Sequence, residues 1–187
     1  MRSAIRVLSA AALLAVAACA ELTPRTGHGP VEFELSGRIA VRYGSDASSG
    51  NIAWRHATAA DEMLITSPLG QGVARIVRSD GVVTLTASDG RQYRARDAET
   101  LTEEVLGYRL PLAGLADWVR GRRAPGPAEE TRDAEGRLSV LQQDGWRVEF
   151  LAYAEDGTLP SRLRLDYPGL ELRLAIGEWR QPPARTP

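Results

Sequence analysis

Apolar residues recur at every second position through a series of short segments closed by glycine, proline, serine or aspartate, and this period confines the chain to antiparallel β structure. Phe33, Leu35, Ile39, Val41 and Tyr43 share one face of a first strand, in which Gly37 permits a bend. The Gly44 to Gly50 loop leads to Ile52, Trp54 and His56 on a second strand, and Met63 and Ile65 mark a third. Ser67-Pro68-Leu69-Gly70 turns the chain into a strand from Gly72 to Arg78. Ser79-Asp80-Gly81 and Ser88-Asp89-Gly90 predict tight hairpins on either side of Val83, Leu85 and Ala87, with Tyr93 beyond.

The period then changes to three and four. Asp97 is placed to cap a helix carrying Ala98, Leu101 and Val105 and stopped by Gly107. Pro111 suits the first turn of a second helix with Leu112, Leu115, Trp118 and Val119 on one stripe, closed by Gly121. After a polar loop from Arg122 to Glu130 the alternation resumes through Leu138 and Val140, turns at Asp144-Gly145, and continues through Trp146, Val148, Phe150 and Ala152. Ser161 to Tyr167 carries Leu163 and Leu165, Pro168-Gly169 turns, and Leu170, Leu172, Leu174 and Ile176 form a last strand before Trp179.

The alternate positions carry Arg38, Arg42, Arg75, Arg147, Glu149, Arg162, Arg164, Glu171 and Arg173, so one face of the sheet is wet and the other apolar. Two architectures accommodate that face. One is a barrel filled solid by its own side chains. The other is an unclosed antiparallel β-barrel of about ten or eleven strands with a short helical lid over an apolar cavity, and the interruption of the meander by helices favours it.

The ends read differently. Arg2 and Arg6 precede an uncharged apolar run from Val7 to Ala18, which has the form of a secretory signal peptide over residues 1–18. That run ends Val16-Ala17-Ala18-Cys19, a fit to the bacterial lipobox, and Cys19 holds the chain's one cysteine. Lipidation at Cys19 is therefore expected. Ala20 follows it where an inner-membrane retention signal would have aspartate, so the expected address is the outer membrane, on its periplasmic face. Residues 19–32 read as a lipidated flexible tether, 33–180 as one domain and 181–187 as a flexible proline-rich tail.

Chemistry is poorly supplied. The chain's basic side chains are all arginine, which excludes the P-loop lysine, the Schiff-base lysine and the Ser-Lys dyad together. Of the two histidines, His28 lies in the tether and His56 at a strand end, too few for a triad or a metal cluster. The acid pairs Asp61-Glu62, Glu103-Glu104 and Glu129-Glu130 read as solvated charge. Loss of Arg2 and Arg6 takes the net charge from −1 to about −3, which gives nucleic acid no basic surface. No catalytic residue, metal site, cofactor or nucleic-acid partner is expected, and the chain is expected to be a monomer that is not an enzyme.

Several short strings carry a resemblance. Gly37-Arg38-Ile39-Ala40-Val41, the isolated Trp54, Ser67-Pro68-Leu69-Gly70-Gln71-Gly72, Asp97-Ala98-Glu99, Leu110-Pro111-Leu112 with Leu115, Trp118-Val119-Arg120-Gly121 and Gly145-Trp146 occur in that order after a lipobox. Over residues 33–179 the chain resembles the outer-membrane lipoprotein LolB family. The resemblance implies an unclosed barrel with a helical lid over an apolar cavity, in a receptor that takes acylated lipoproteins from the soluble periplasmic carrier LolA and inserts them into the outer membrane. Members often carry a helix before the first strand, where this chain has its Pro/Gly-rich tether. Strand parity and the resemblance together nominate Ile39, Val41, Trp54, Met63, Ile65, Phe150, Leu163, Leu165 and Leu174 as the wall of an acyl-chain cavity, with Leu112, Leu115 and Trp118 on the lid. Leu69, at the tip of a short turn, is nominated as a membrane-insertion residue. The competing readings are a structural or assembly lipoprotein with a packed barrel that works through its surface, and a carrier of free lipid.

Overall fold

The computed structural model describes residues 29–107, 109–110 and 112–181. The expectations for the signal peptide, Cys19, His28, the tether up to residue 28, Pro111 and the tail from residue 182 fall outside them.

The strands are β1 (Val31–Tyr43), β2 (Asp46–Ala57), β3 (Ala60–Thr66), β4 (Gly72–Ser79), β5 (Val82–Ala87) and β6 (Gln92–Ala95), followed by helices α1 (Ala98–Leu106) and α2 (Leu112–Trp118). The chain then returns through β7 (Glu129–Arg132), β8 (Leu138–Gln143), β9 (Trp146–Tyr153), β10 (Pro160–Tyr167) and β11 (Leu170–Arg180). All belong to one 11-stranded sheet in the order β6-β5-β4-β3-β2-β1-β11-β10-β9-β8-β7. Two meanders thus meet where β1 pairs antiparallel with β11, and the sheet stays unclosed because β6 and β7 are its two edges.

Turn chemistry fixes the register. Asp80-Gly81 and Asp144-Gly145 both have positive φ at each residue, the primed-turn geometry whose twist matches a two-residue hairpin. At Gly37 a Cβ would collide with the carbonyl oxygen of Ala175, and the β1–β11 ladder shifts register between Ser36 and Gly37. The bend expected there is a bulge that only glycine allows. Asp97 caps α1 by accepting the Thr100 N–H at 2.7 Å, and Gly107 ends it in the left-handed conformation with its N–H on the Glu103 carbonyl.

Three boundaries differ from the sequence reading. β1 begins at Val31, inside the stretch read as tether. β2 begins at Asp46, so most of the expected Gly44–Gly50 loop is strand, its polar residues paired with β1 down to Tyr43↔Asp46. Glu129 and Glu130, read as the end of a loop and its acid pair, open β7, an edge strand whose four residues are all exposed. Backbone pairing to β8 makes that strand, so it carries no hydrophobic alternation.

The apolar face is continuous from Val83 and Leu85 on β5, through Trp54, Leu35 and Phe33, to Leu163, Val148 and Leu141 on the other half, with α1 and α2 laid against it. The opposite face is held by ion pairs, some across strands, such as Arg55–Glu34, Arg75–Glu62, Arg164–Glu149 and Arg164–Glu171, and some along one strand, such as Arg147–Glu149 and Arg173–Glu171.

Candidate functional site: an apolar cavity under the lid

A cavity of about 240 Å³ opens between the sheet and the segment leading into α2. Its wall is built from both central strands and the three that follow β1. Ile39 and Val41 come from β1, Ile52 and Trp54 from β2, Met63 and Ile65 from β3, Val73, Ala74 and Ile76 from β4, Leu172 and Leu174 from β11, and Leu165 from β10; Leu110 and Leu115 close it from the helical side. Ser48, Ser49, Thr66, Ser67 and Arg173 form a polar rim.

Of the nominated wall and lid residues, Ile39, Val41, Trp54, Met63, Ile65, Leu115, Leu165 and Leu174 meet here. Leu112, Trp118, Phe150 and Leu163 do not line it; they are buried core, at 2%, 0%, 8% and 1% exposure. Parity places Phe150 and Leu163 on the apolar face correctly, but that part of the face is already filled. Trp118 points away from the cavity, its indole N–H donating to Gln143 Oε1 at 2.9 Å and its ring 6.1 Å from that of Trp146. Ile52 and Leu172, which share parity with Trp54 and Leu174, were the available signal for the part of the wall left unnominated. Leu110 was not legible by period, because it lies between the helices. Its backbone N–H donates to the buried hydroxyl of Thr102 at 2.8 Å, and that hydroxyl donates to the Ala98 carbonyl one helical turn back.

A buried polar cluster holds the cavity's floor. Asp61 was read as one of a solvated acid pair, yet it is 3% exposed. Its Oδ1 accepts the Trp54 indole N–H at 2.9 Å and lies 2.6 Å from His56 Nδ1, while Oδ2 takes the Arg78 guanidinium. Burial works to raise the Asp61 pKa, but the hydrogen bond and charge of His56, then the bonds from Trp54 and Arg78, outweigh it and hold the carboxyl below its ordinary 3.8. The carboxylate therefore locks the Trp54 ring in its place against the cavity. His56, placed by the sequence at a strand end, is 7% exposed and stacks on Phe33 at 4.8 Å.

The same cluster reaches the lid. Arg120, just past α2, donates from Nη1 to Glu32 Oε2 at 2.8 Å and from Nε to the Ala116 carbonyl at 2.8 Å, and its guanidinium lies over the Phe33 ring at 5.3 Å. Hydrogen bonds from Thr58 and Arg120 bring the Glu32 pKa below its ordinary 4.5. On the far side, Gln143 accepts from Trp118 and from the Ala124 N–H and donates to the Ala124 carbonyl, all at 2.8 to 2.9 Å.

At the cavity rim, the turn after β3 closes by a bond from the Gly70 N–H to the Ser67 carbonyl, and Asn51 Nδ2 donates to the same carbonyl at 3.2 Å. Leu69 at its tip is 89% exposed, so it does not fold back onto the barrel. An isolated leucine this exposed has no part in the core.

Comparison with known proteins agrees with this architecture. The family model described as outer membrane lipoprotein LolB matches residues 31–179. A relative from Azoarcus sp. (strain BH72), named outer-membrane lipoprotein LolB, is 38% identical, with 96% of this chain and 98% of the relative covered. Another of the same name from Thiobacillus denitrificans is 42% identical over 81% of each chain. Among solved structures, a DUF1329 family protein from Desulfovibrio piger superposes with a TM-score of 0.51 at 7% identity, covering 84% of this chain and 88% of its own, a likeness of fold alone. The chain belongs to the outer-membrane lipoprotein LolB family.

Proposed function

We propose that this protein is an outer-membrane receptor that takes acylated lipoproteins from a LolA-like periplasmic carrier, holds their acyl chains in the apolar cavity, and releases them into the bilayer. The observation that carries this reading is an apolar cavity with a polar rim, roofed by Leu110 and Leu115, in a member of this family. Each buried CH₂ of an acyl chain contributes about 0.8 kcal/mol, so a chain crosses water only when handed between apolar sites. Transfer then runs downhill, from a weaker carrier site to this cavity and on to the membrane.

The present volume of about 240 Å³ lies below the roughly 300–1,000 Å³ of pockets that enclose drug-sized ligands, so acyl chains enter by displacing the lid. Acylation of Cys19 anchors the monomeric domain at the periplasmic face of the outer membrane, and the exposed Leu69 engages the bilayer during release. Depletion of the protein should leave other lipoproteins on the carrier and at the inner membrane. An environment-sensitive acyl probe should bind the purified chain, whereas a packed barrel acting through its surface would leave the probe in water. Replacing Cys19 by Ala should free the folded domain from outer-membrane fractions after a high-salt wash; tight retention would contradict the anchor.

A further inference from the structure

We infer that the outer face of the sheet carries a second membrane-contacting element, a stripe that recognises anionic phospholipid headgroups through Arg38 and Arg162. It rests on the reading of Leu69 as the membrane-engaging tip, because the stripe runs up to that turn.

Register places the pieces. Arg38 on β1 and Arg162 on β10 are both paired with Ala175 on β11. The two guanidinium-bearing positions thus flank one small residue, two strand spacings or about 10 Å apart. Outward from Arg162, β9 is bulged at Leu151, which is skipped in the ladder and is 58% exposed. Outward from Arg38 comes Asn51, its direct partner on β2, whose amide holds the carbonyl of Ser67 in the Leu69 turn. Leu151, Arg162, Ala175, Arg38, Asn51 and Pro68 together line one outer groove of about 590 Å³. The row therefore reads leucine, arginine, alanine, arginine, asparagine, then the turn with its exposed leucine.

Charge separates this row from the rest of the outer face. One row away, Arg164 and Arg173 are neutralised by Glu149, Asp166 and Glu171. Towards the other end, Arg55 meets Glu34 and Arg75 meets Glu62. Arg38 and Arg162 are exposed, and among the described residues no carboxylate lies within 4.0 Å of either guanidinium. A chain of net charge −1 has no general attraction to an anionic surface, so a local pair of unneutralised arginines has a direction. A phosphate matches a guanidinium fork, and aliphatic side chains beside it match the glycerol and first methylenes below the headgroup. With Leu69 at one end and Leu151 at the other, the row lies along the interface and orients the cavity rim towards the bilayer.

The test uses the full lipidated chain in vesicles of zwitterionic phospholipid, with or without about one third anionic phospholipid; each charge near such a surface contributes about fivefold. A Leu151→Cys chain, with Cys19 in thioether linkage, takes a nitrobenzoxadiazole probe at that site, and Val82→Cys on β5 is the control. Probe emission at 151 should rise and shift blue in anionic vesicles only, fall back in high salt, and stay unchanged at 82. Arg38→Glu with Arg162→Glu should weaken the response at least tenfold, and the milder Arg38→Ala with Arg162→Ala should do so in part. An equal response in both vesicle types, or one insensitive to both pairs of substitutions, overturns the inference; so does loss of transfer from the carrier with the vesicle response intact. If Leu69→Glu leaves delivery at its normal rate while the arginine pair still governs the 151 response, the reading of Leu69 fails and the stripe stands. If only Leu69→Glu abolishes the response, the stripe fails and Leu69 stands.

Discussion

The two halves of the sheet are built from the same alternating pattern but are filled differently. In the half made by β1 to β4, with β11 and one residue of β10, the apolar face is left partly empty and lines the cavity. In the half made by β7 to β9 no residue lines it: Leu138, Leu141, Trp146 and Val148 are buried core, and Trp118 of α2 packs beside Trp146 and bonds to Gln143. The lid is thus fastened to the packed half and roofs the empty one. On the proposed reading, in which acyl chains enter by displacing the lid, this asymmetry supplies its fixed side. On the open side α2 itself is tied by the lighter Arg120–Glu32 pair, with the Glu32 side chain 35% exposed, while α1 packs on β5 and β6.

If the packed half is the anchor, removing its central polar group should have the largest effect. Gln143→Ala leaves Trp118, the Ala124 N–H and the Ala124 carbonyl buried without partners, at roughly 1–3 kcal/mol each, and should cost about 4 kcal/mol. Thermal unfolding should show Tm falling by roughly 10 °C or more. A loss within about 0.5 kcal/mol would mean that the lid is held elsewhere.

Asp61→Asn probes the open half. It removes the charge that satisfies Arg78 and His56 and weakens the seat of Trp54, and should cost about 3 kcal/mol, the low end for a buried pair because Arg78 is partly exposed. The same group predicts a pH dependence. Asp61 and Glu32 have folded pKa values below their ordinary 3.8 and 4.5, so their stabilisation is fully present above those values and is lost as pH falls through the lower folded ones. Tm should be nearly level from about pH 7 to 5 and fall below about pH 4, less steeply in the Asp61→Asn chain. An equally steep fall in that variant would assign the acid loss to other carboxylates.

Ala74→Phe sharpens the comparison by filling the cavity from β4. Overpacking should cost about 1 kcal/mol, because the ring enters existing space, while acyl-probe binding should weaken at least about tenfold. Unchanged binding would place the acyl site elsewhere. The smallest effect on stability is expected at Leu69, where Leu69→Glu should stay within about 0.5 kcal/mol of the parent. Uptake from the carrier should be nearly normal and insertion into membranes slower by about tenfold or more, the factor set by burying one leucine. Delivery at the parent rate would remove Leu69 from the mechanism.

Much of this was legible in the residues. Period two, broken by period three to four, set out two meanders around two helices, and Asp97, Gly107 and the Asp-Gly turns marked their ends through chemistry that is local in the chain. What depends on distant partners was not. Glu129–Arg132 is a strand only because β8 offers backbone groups, and Asp46–Gly50 only because β1 does. Asp61 looks like any surface acid until Trp54, His56 and Arg78 are brought around it by pairing of β2, β3 and β4. Parity assigns Phe150 and Leu163 to the apolar face but does not say which stretch of that face is already filled, and Trp118, expected on the lid, turns its indole to Gln143 and does not line the cavity.

The central claim is that acyl chains occupy the open half and leave the packed half dry of ligand. A lipopeptide with brominated acyl chains tests it through tryptophan emission, since Trp54 lines the cavity while Trp118 and Trp146 lie in the packed half. Quenching should be largely lost in a Trp54→Phe chain and retained in a Trp146→Phe chain; equal quenching in both, or quenching that survives the loss of Trp54 and disappears with Trp146, would contradict the account.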